Sequence, residues 1–340
     1  MEQPQDSLGC EDYLGELASL LERSFGTVAP IRVERPPTAL YLVGTGALGG
    51  ALDAVTAWLS PRVRLPIVRL RGHEFVHFPS TALVLGVSFA GDTPETGAHL
   101  RRASASGATI VLLAARGPMV DEVIQLGGRV IPLDGAAPGP RWAYLQTVLS
   151  SLWACSSLLE PIEAASLDLQ VHNGIDRLRV RYQPESQDVD KIARQIDRTL
   201  ILTLGSGALG VVAAERLAAQ VEENAKTLAL SLGYPGIAYS TVAGFGQCGD
   251  LTRQVFTAIE VVVSAEAPED AIRRKVFAEM LDELVAHRIT LEATGSGELD
   301  QFMDLVGLSD RISLALAKHV GIDPGPVPAI VEMKQAVARS

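Results

Sequence analysis

An α/β fold of two doubly wound halves is what this chain of 340 residues predicts, and three observations carry the prediction. The hexapeptide Gly44-Thr45-Gly46-Ala47-Leu48-Gly49 returns with one change as Gly205-Ser206-Gly207-Ala208-Leu209-Gly210. Each copy follows a short apolar run, Leu40 to Val43 or Leu200 to Leu204, and leads into a helix-like stretch, Ala51 to Leu59 or Val211 to Val221. Strand, glycine turn and helix together open a nucleotide- or phosphate-binding α/β unit, and two copies imply two units of similar build. Finally, the strand-like segments are apolar on both faces, which suits a mostly parallel sheet covered by helices.

The elements follow in order. Leu14, Leu17, Leu20 and Leu21 recur at helical spacing and predict a helix over 12–28. Thr38–Val43, Pro66–Leu70, Ala82–Val87, Thr109–Ala114 and Arg129–Leu133 read as strands, and a long apolar helix from about Arg141 to Leu159 closes this half. Residues 166–195, with Asn173-Gly174, Pro184 and several charges, read as a polar linker between an N-terminal domain, 1–165, and a C-terminal one, 196–340. Strands resume at Leu200–Leu204, Thr227–Ser231, Ile259–Ser264 and Arg288–Glu292. A helix over 302–318 stops at Gly321 and Pro324-Gly325-Pro326, and a last helix starts near Ala329.

Composition narrows the function. The chain is 47% hydrophobic, yet no apolar run reaches the roughly 18 residues of a membrane span, so no membrane partner is expected. The acidic, polar start, Met1 to Glu11, lacks the basic and apolar regions of a signal peptide, and a cytoplasmic protein is expected. A net charge of −11 without a Lys/Arg cluster argues against nucleic acid. It does not argue against a small anion, because a local site can be positive on a negative protein. Cys10, Cys155 and Cys248 show no paired spacing and read as incidental thiols. His73 and His77 are four apart but have no evident third ligand, so no metal site is expected.

Two turns could carry chemistry. Gly44, Gly46 and Gly49 fit the G-x-G-x-x-G spacing, but Arg69 and Arg71 stand where a dinucleotide site needs an acid. A tight strand-to-helix turn and a phosphate turn both remain open. The second is Ser88 to Thr96, between a strand and a helix. Pro94 suits the first helical position and Asp92 or Thr93 the cap. Such a helix start is a natural phosphate cradle, and equally a well-capped helix.

Ser88-Phe89-Ala90-Gly91-Asp92-Thr93-Pro94-Glu95-Thr96 resembles the S-x-S-G-x-T-x-E-T signature of SIS (sugar isomerase) domains. Pro140-Arg141 before a long apolar helix resembles that family's P-R segment. Glu222-Glu223-Asn224-Ala225-Lys226 resembles the E-N-A-K motif of its bifunctional phosphoglucose/phosphomannose isomerase branch. The tail from Ser313 to Pro324, then Ile330-Val331-Glu332-Met333-Lys334, resembles the end of the same branch. The resemblance implies two tandem SIS domains, each a flavodoxin-like sheet, in a homodimer. It implies conversion of glucose 6-phosphate and mannose 6-phosphate to fructose 6-phosphate through an enediol, with no metal or redox cofactor. By position it makes Glu223 the base and Arg141 the enediolate's counter-charge. It puts Gly44, Gly46, Ser88, Asp92, Thr93 and Lys334 around the sugar phosphate.

The departures matter as much. The signature's second serine is Ala90, and its usual asparagine is Asp92, a like charge beside the phosphate. The first glycine turn lacks the family's serine. The ring-opening histidine, expected sixteen residues after the base, is Tyr239. Tyrosines titrate near 10, which makes a poorer shuttle at neutral pH. His319 could reach the site from another direction, or simply complement a helix C-terminus. Three accounts stay open: an isomerase with an altered site, an enzyme for another sugar, or a non-catalytic SIS protein that binds a sugar phosphate or a partner.

Overall fold

The computed structural model describes residues 6–32, 35–183, 187–246 and 250–338. The chain forms two compact units. The first comprises Leu17–Asp176 and Ser296–Asp300; the second comprises Arg177–Gly295 and Gln301–Ser340 with Met1–Glu16.

Helix α1 (Cys10–Phe25) opens the chain and buries Leu14, Leu17, Leu21 and Phe25, one stripe at helical spacing. The first unit then runs β1 (Leu40–Val43), α2 (Gly46–Leu59), β2 (Ile67–Leu70), β3 (Leu83–Val87), α3 (Pro94–Ala105), β4 (Thr109–Ala114), α4 (Pro118–Gln125) and β5 (Arg129–Pro132). All four strand pairings are parallel, in the order β2-β1-β3-β4-β5. This is the flavodoxin order, which reverses direction between β1 and β3. β1 and β3 are buried along their whole length, as a sheet covered on both faces requires. One face packs Tyr41, Val84, Ile110 and Leu112 under Leu100, Ala103, Met119 and Val123.

A short 3-10 turn, Pro140–Ala143, leads into α5 (Tyr144–Ala154), which packs on α2. Every α5 residue except Trp153 is buried within this one chain, and Trp153 packs on Phe25 with the two rings tilted, centroids 4.6 Å apart. The single helix expected over 141–159 is thus broken into a 3-10 turn, α5 and a second 3-10 turn, Ser156–Leu158.

The expected polar linker is mostly helix. α6 (Pro161–Arg181) and α7 (Gln187–Ile196) take up the described residues of 166–195 apart from Tyr182 and Gln183. Leu167, Val171, Ile175 and Leu178 recur at helical spacing and are all buried. Burying four such side chains is worth several kcal/mol, which outweighs the ~1 kcal/mol cost of Gly174 inside a helix. Pro184 lies outside the described residues.

The second unit continues with β6 (Leu200–Gly205), α8 (Ala208–Gln220), β7 (Ala229–Gly233), the short α9 (Leu251–Val255), β8 (Phe256–Val262), α10 (Pro268–Leu284) and β9 (His287–Glu292). α11 (Glu298–Val320) and α12 (Pro328–Ala338) end the described chain. The parallel order β7-β6-β8-β9 repeats the first sheet without its last strand. Phe277, Leu281 and Val285 close over Leu202, Leu204 and Ala258 on one face.

Among the described residues no helix is long and apolar enough to cross a membrane. Cys10 and Cys155 are buried, and burial pushes Cys155 up to about 12, so it stays a thiol at neutral pH. Cys248 lies outside the described residues. His73 and His77 lie in irregular chain between β2 and β3, not on a helix, and His73 faces Glu95 at 3.5 Å.

Candidate functional site

In open α/β sheets the loops leaving the carboxyl ends of the strands form the ligand crevice. The first unit brings Gly44, Gly46, Ser88, Asp92 and Thr93 to that edge of its sheet. The glycine turn after β1 is tightly built: a Cβ on Gly44 would stand 2.4 Å from Val87 Cγ2. Its carbonyls are already taken. Arg69, at the end of β2, turns a nearly buried guanidinium into the turn. It donates to the Gly44 and Gly49 carbonyls at 2.8 Å each and to Leu42 at 3.2 Å, with Asp53 at 2.8 Å as its counter-ion. Burial draws the Arg69 pKa down and Asp53 opposes the shift. The residue that spoils the dinucleotide pattern is therefore the turn's own plug.

The signature loop is preformed. Ser88, buried, shares a 2.8 Å hydrogen bond with the Thr93 hydroxyl and accepts a longer one from the Thr93 N–H. The Thr96 hydroxyl donates to the Val87 carbonyl. The loop is backed by the start of α4, where Met119 N–H donates to the Gly91 carbonyl at 3.0 Å. A Cβ on Gly117 would stand 1.8 Å from the Ala90 carbonyl, so only glycine permits this contact. Asp92 is exposed and makes no hydrogen bond or ion pair with any described residue. Neither it nor Thr93 caps α3 with its side chain. The expected side-chain cap from Asp92 or Thr93 is therefore not realised.

Arg141 is buried on the 3-10 turn before α5, its guanidinium 5.4 Å from the Trp142 ring centroid. α5 is fixed by Tyr144 Oη donating to the Gly50 carbonyl and by Gln146 Oε1 accepting the Asp134 N–H.

Glu223 belongs to the second unit. It rides on a single π-helical turn, Val221–Ala225, that extends α8. Such turns are rare and concentrate at functional sites. Val221, Asn224 and Ala225 are buried, so Glu222 and Glu223 occupy the open side of the turn. The Asn224 amide donates to Ser313 Oγ at 2.9 Å, and Ser313 donates to the Asp310 carbonyl. Below them the Asp310 carboxylate gathers Tyr182 and Arg216 at 3.0 Å each, together with Gln220. Burial lifts the Asp310 pKa even against Arg216. Lys226 ends the turn in the left-handed conformation, φ 53°. Its ammonium donates to the carbonyls of Glu223 at 2.6 Å, Asp323 at 3.3 Å, Pro324 at 3.4 Å and Asn224 at 3.5 Å.

The other sequence-selected residues of this unit are dispersed. Tyr239, highly exposed, ends a 3-10 turn after β7, and its hydroxyl accepts from Arg273 at 3.3 Å. His319, in the last turn of α11, pairs with Asp197 at 3.0 Å. Lys334 is exposed on α12. Arg69, Asp310 and the Lys226 clamp went unrecognised in the sequence. Only Lys226 had a signal there, as the last residue of the E-N-A-K motif.

Comparison with known proteins agrees with this architecture. Residues 185–337 match the bacterial phospho-glucose isomerase C-terminal SIS domain. The chain is 25% identical to the bifunctional phosphoglucose/phosphomannose isomerase of Caldicellulosiruptor bescii over 87% of its own length and 88% of the relative's. It is 23% identical to the protein of the same name from Aquifex aeolicus, over 89% and 92%. Among solved structures, the C-terminal domain of glucosamine-fructose-6-phosphate aminotransferase from Francisella tularensis superposes with a TM-score of 0.73 at 12% identity, covering 93% of this chain and 98% of that one. Tagatose-6-phosphate ketose/aldose isomerase from Escherichia coli gives 0.68 at 14%, covering 96% and 93%. Residues 185–337 are thus similar to a bacterial phospho-glucose isomerase C-terminal SIS domain, and the chain folds as two parallel α/β sheets in tandem.

Proposed function

We propose that the protein is a phosphosugar aldose–ketose isomerase, interconverting glucose 6-phosphate and mannose 6-phosphate with fructose 6-phosphate. The observation that carries the proposal is Glu223: a carboxylate on the open side of a buried, fully braced π-turn, inside the region matched by the isomerase domain. In the open-chain aldose, Glu223 takes the C2 proton and leaves a cis-enediolate with its charge on O1. O1 then gains a proton as the O2 hydroxyl loses one, and Glu223 returns its proton to C1, which leaves the carbonyl at C2, so no atoms or electrons are gained or lost. Arg141 is assigned to the enediolate's negative charge, and Ser88 and Thr93 with the start of α3 to the phosphate. Tyr239, rather than the paired His319, is assigned to proton transfer at the ring oxygen. Lys334 is placed near the sugar, and the active species is a cytoplasmic homodimer.

The test is a coupled assay for fructose 6-phosphate from each aldose phosphate, with thermal shifts on the same ligands. Turnover is expected, and Glu223→Gln lowers kcat by about 10³-fold, within the span of general-base effects. An unchanged kcat removes Glu223 from the mechanism. A specific observation favours a second reading, a non-catalytic sugar-phosphate binder: Ala90 removes one cradle hydroxyl and Asp92 adds a negative charge. That reading predicts a saturable thermal shift without turnover.

A further inference from the structure

The π-turn that carries Glu223 is held from two sides, and the two holds differ in kind. On the inner side Asn224 is pinned to Ser313 by a neutral hydrogen bond in a fully buried setting. On the outer side four carbonyl oxygens converge on one ammonium. Two of them, Glu223 and Asn224, belong to the turn; the other two, Asp323 and Pro324, belong to the segment ahead of α12. An ammonium has three donors, so four acceptors share them unequally, and the shortest contact goes to Glu223 itself. Four carbonyl dipoles pointed at one spot repel each other unless a cation occupies it, and helix C-termini concentrate just such unpaired carbonyls. Lys226 also sits in a left-handed conformation that side chains larger than asparagine rarely adopt. A strained backbone persists only where its surroundings over-determine it.

We propose that Lys226 is a positioning residue: its ammonium fixes the Glu223 carboxylate by tying the π-turn to the 323–324 segment. This rests on the assignment of Glu223 as the base. With the charge removed, the carbonyls separate and the turn relaxes toward an ordinary α-helical end. Adding or removing one residue per turn swings the direction of the Glu223 side chain. Misplacement of a reacting group by about 1 Å costs on the order of 10²-fold in rate, whereas the phosphate-binding residues in the first unit are untouched.

The test compares wild type, Lys226→Met, Lys226→Arg and Lys226→Ala in steady state with glucose 6-phosphate. Lys226→Met keeps most of the length and apolar stem and removes the charge together with its three donors. The expected result is a kcat lower by ten- to a hundredfold with KM within about threefold. The thermal shift with fructose 6-phosphate should be retained, showing that the fold and phosphate site survive. Lys226→Arg should recover part of the loss, and added propylammonium should raise kcat of Lys226→Ala at least about fivefold. A kcat of Lys226→Met within twofold of wild type overturns the proposal, as does a Lys226→Ala enzyme that no amine rescues. If Glu223→Gln is inactive while Lys226→Met is normal, only this inference falls. If wild type does not turn over, or Glu223→Gln turns over normally, the assignment of Glu223 falls and takes this inference with it.

Discussion

In the first sheet the residue paired with Leu42 across β1 and β2 is Arg69; in the second, the residue paired with Thr203 across β6 and β7 is Ser231. Leu42 and Thr203 stand two residues before their glycine turns, so Arg69 and Ser231 hold the same place in the two units. Arg69 reaches the turn carbonyls; the serine hydroxyl is too short and has no partner among the described residues. The loops after the third strands diverge in the opposite sense. Gly86 pairs with Val43 and Glu260 with Leu204, each one residue before a glycine turn. From those points Asp92 and Glu266 lie equally far along, and Pro94 and Pro268 each begin a helix. Glu266 is closed by a two-pronged pair with Arg274, at 2.7 and 3.2 Å; Asp92 is open. The repeated hexapeptide thus sets the backbone of both turns, and side chains from neighbouring strands and helices set what each can bind. The first unit has its cation in the turn and its acid free at the crevice. The second has neutralised the acid of its loop and presents its catalytic candidate on the π-turn instead.

The sharpest way to break the comparison is to exchange the plug. Arg69→Met leaves the carbonyls of Leu42, Gly44 and Gly49 without this donor and strips Asp53 of its nearly buried partner. Removing one member of a buried ion pair costs about 3–5 kcal/mol, and because Arg71 still holds Asp53 at 2.8 Å the loss here should lie near the lower end. Ser231→Ala removes a hydroxyl with no partner and should change stability by under about 0.5 kcal/mol. Urea unfolding monitored by circular dichroism reads both. Equal losses would mean that the two turns are held alike and that Arg69 is not a plug.

Next in size is the open acid. With a phosphate in the signature loop, Asp92 is a like charge at short range, worth about 1 kcal/mol in water at 4 Å. Asp92→Asn should therefore tighten fructose 6-phosphate binding about fivefold by calorimetry, with little change in melting temperature. Weaker binding would show that Asp92 contacts the ligand favourably and would favour a sugar carrying a positive group.

Much of this was legible. All nine strands among the described residues, and the parallel sheets, follow from apolar runs punctuated by glycine, with ends off by three residues or fewer. The helix over 161–181 was not, because Asn173-Gly174 is a local turn signal and the burial that overrides it depends on tertiary packing. In the site, Glu223 and the signature loop announced themselves as motifs. Arg69 did not: it was noticed only as a wrong residue for a dinucleotide site, and its purpose depends on which strand lies beside β1. The same holds for Glu266 and Arg274, eight apart in sequence and joined only because α10 packs over its own preceding loop.

That last pair yields the smallest effect, and its sign is fixed. Partial burial alone would raise the Glu266 pKa, but the hydrogen bond and charge of Arg274 hold it below the ordinary range. A carboxylate depressed in the folded state contributes stability that is complete above its unfolded pKa, about 4.3. The contribution is lost as pH falls through the lower, folded value. The difference in unfolding free energy between wild type and Glu266→Gln should be level from pH 7 to about pH 5 and shrink below about pH 4.3, by about 1 kcal/mol or less. Other carboxylates, the buried Asp310 among them, cancel in that difference. Melts from pH 7 to pH 3 on both proteins supply it. A difference that stays constant into the acid range would mean that Glu266 is as open in solution as Asp92, and the contrast between the two loops would reduce to the contrast between the two turns.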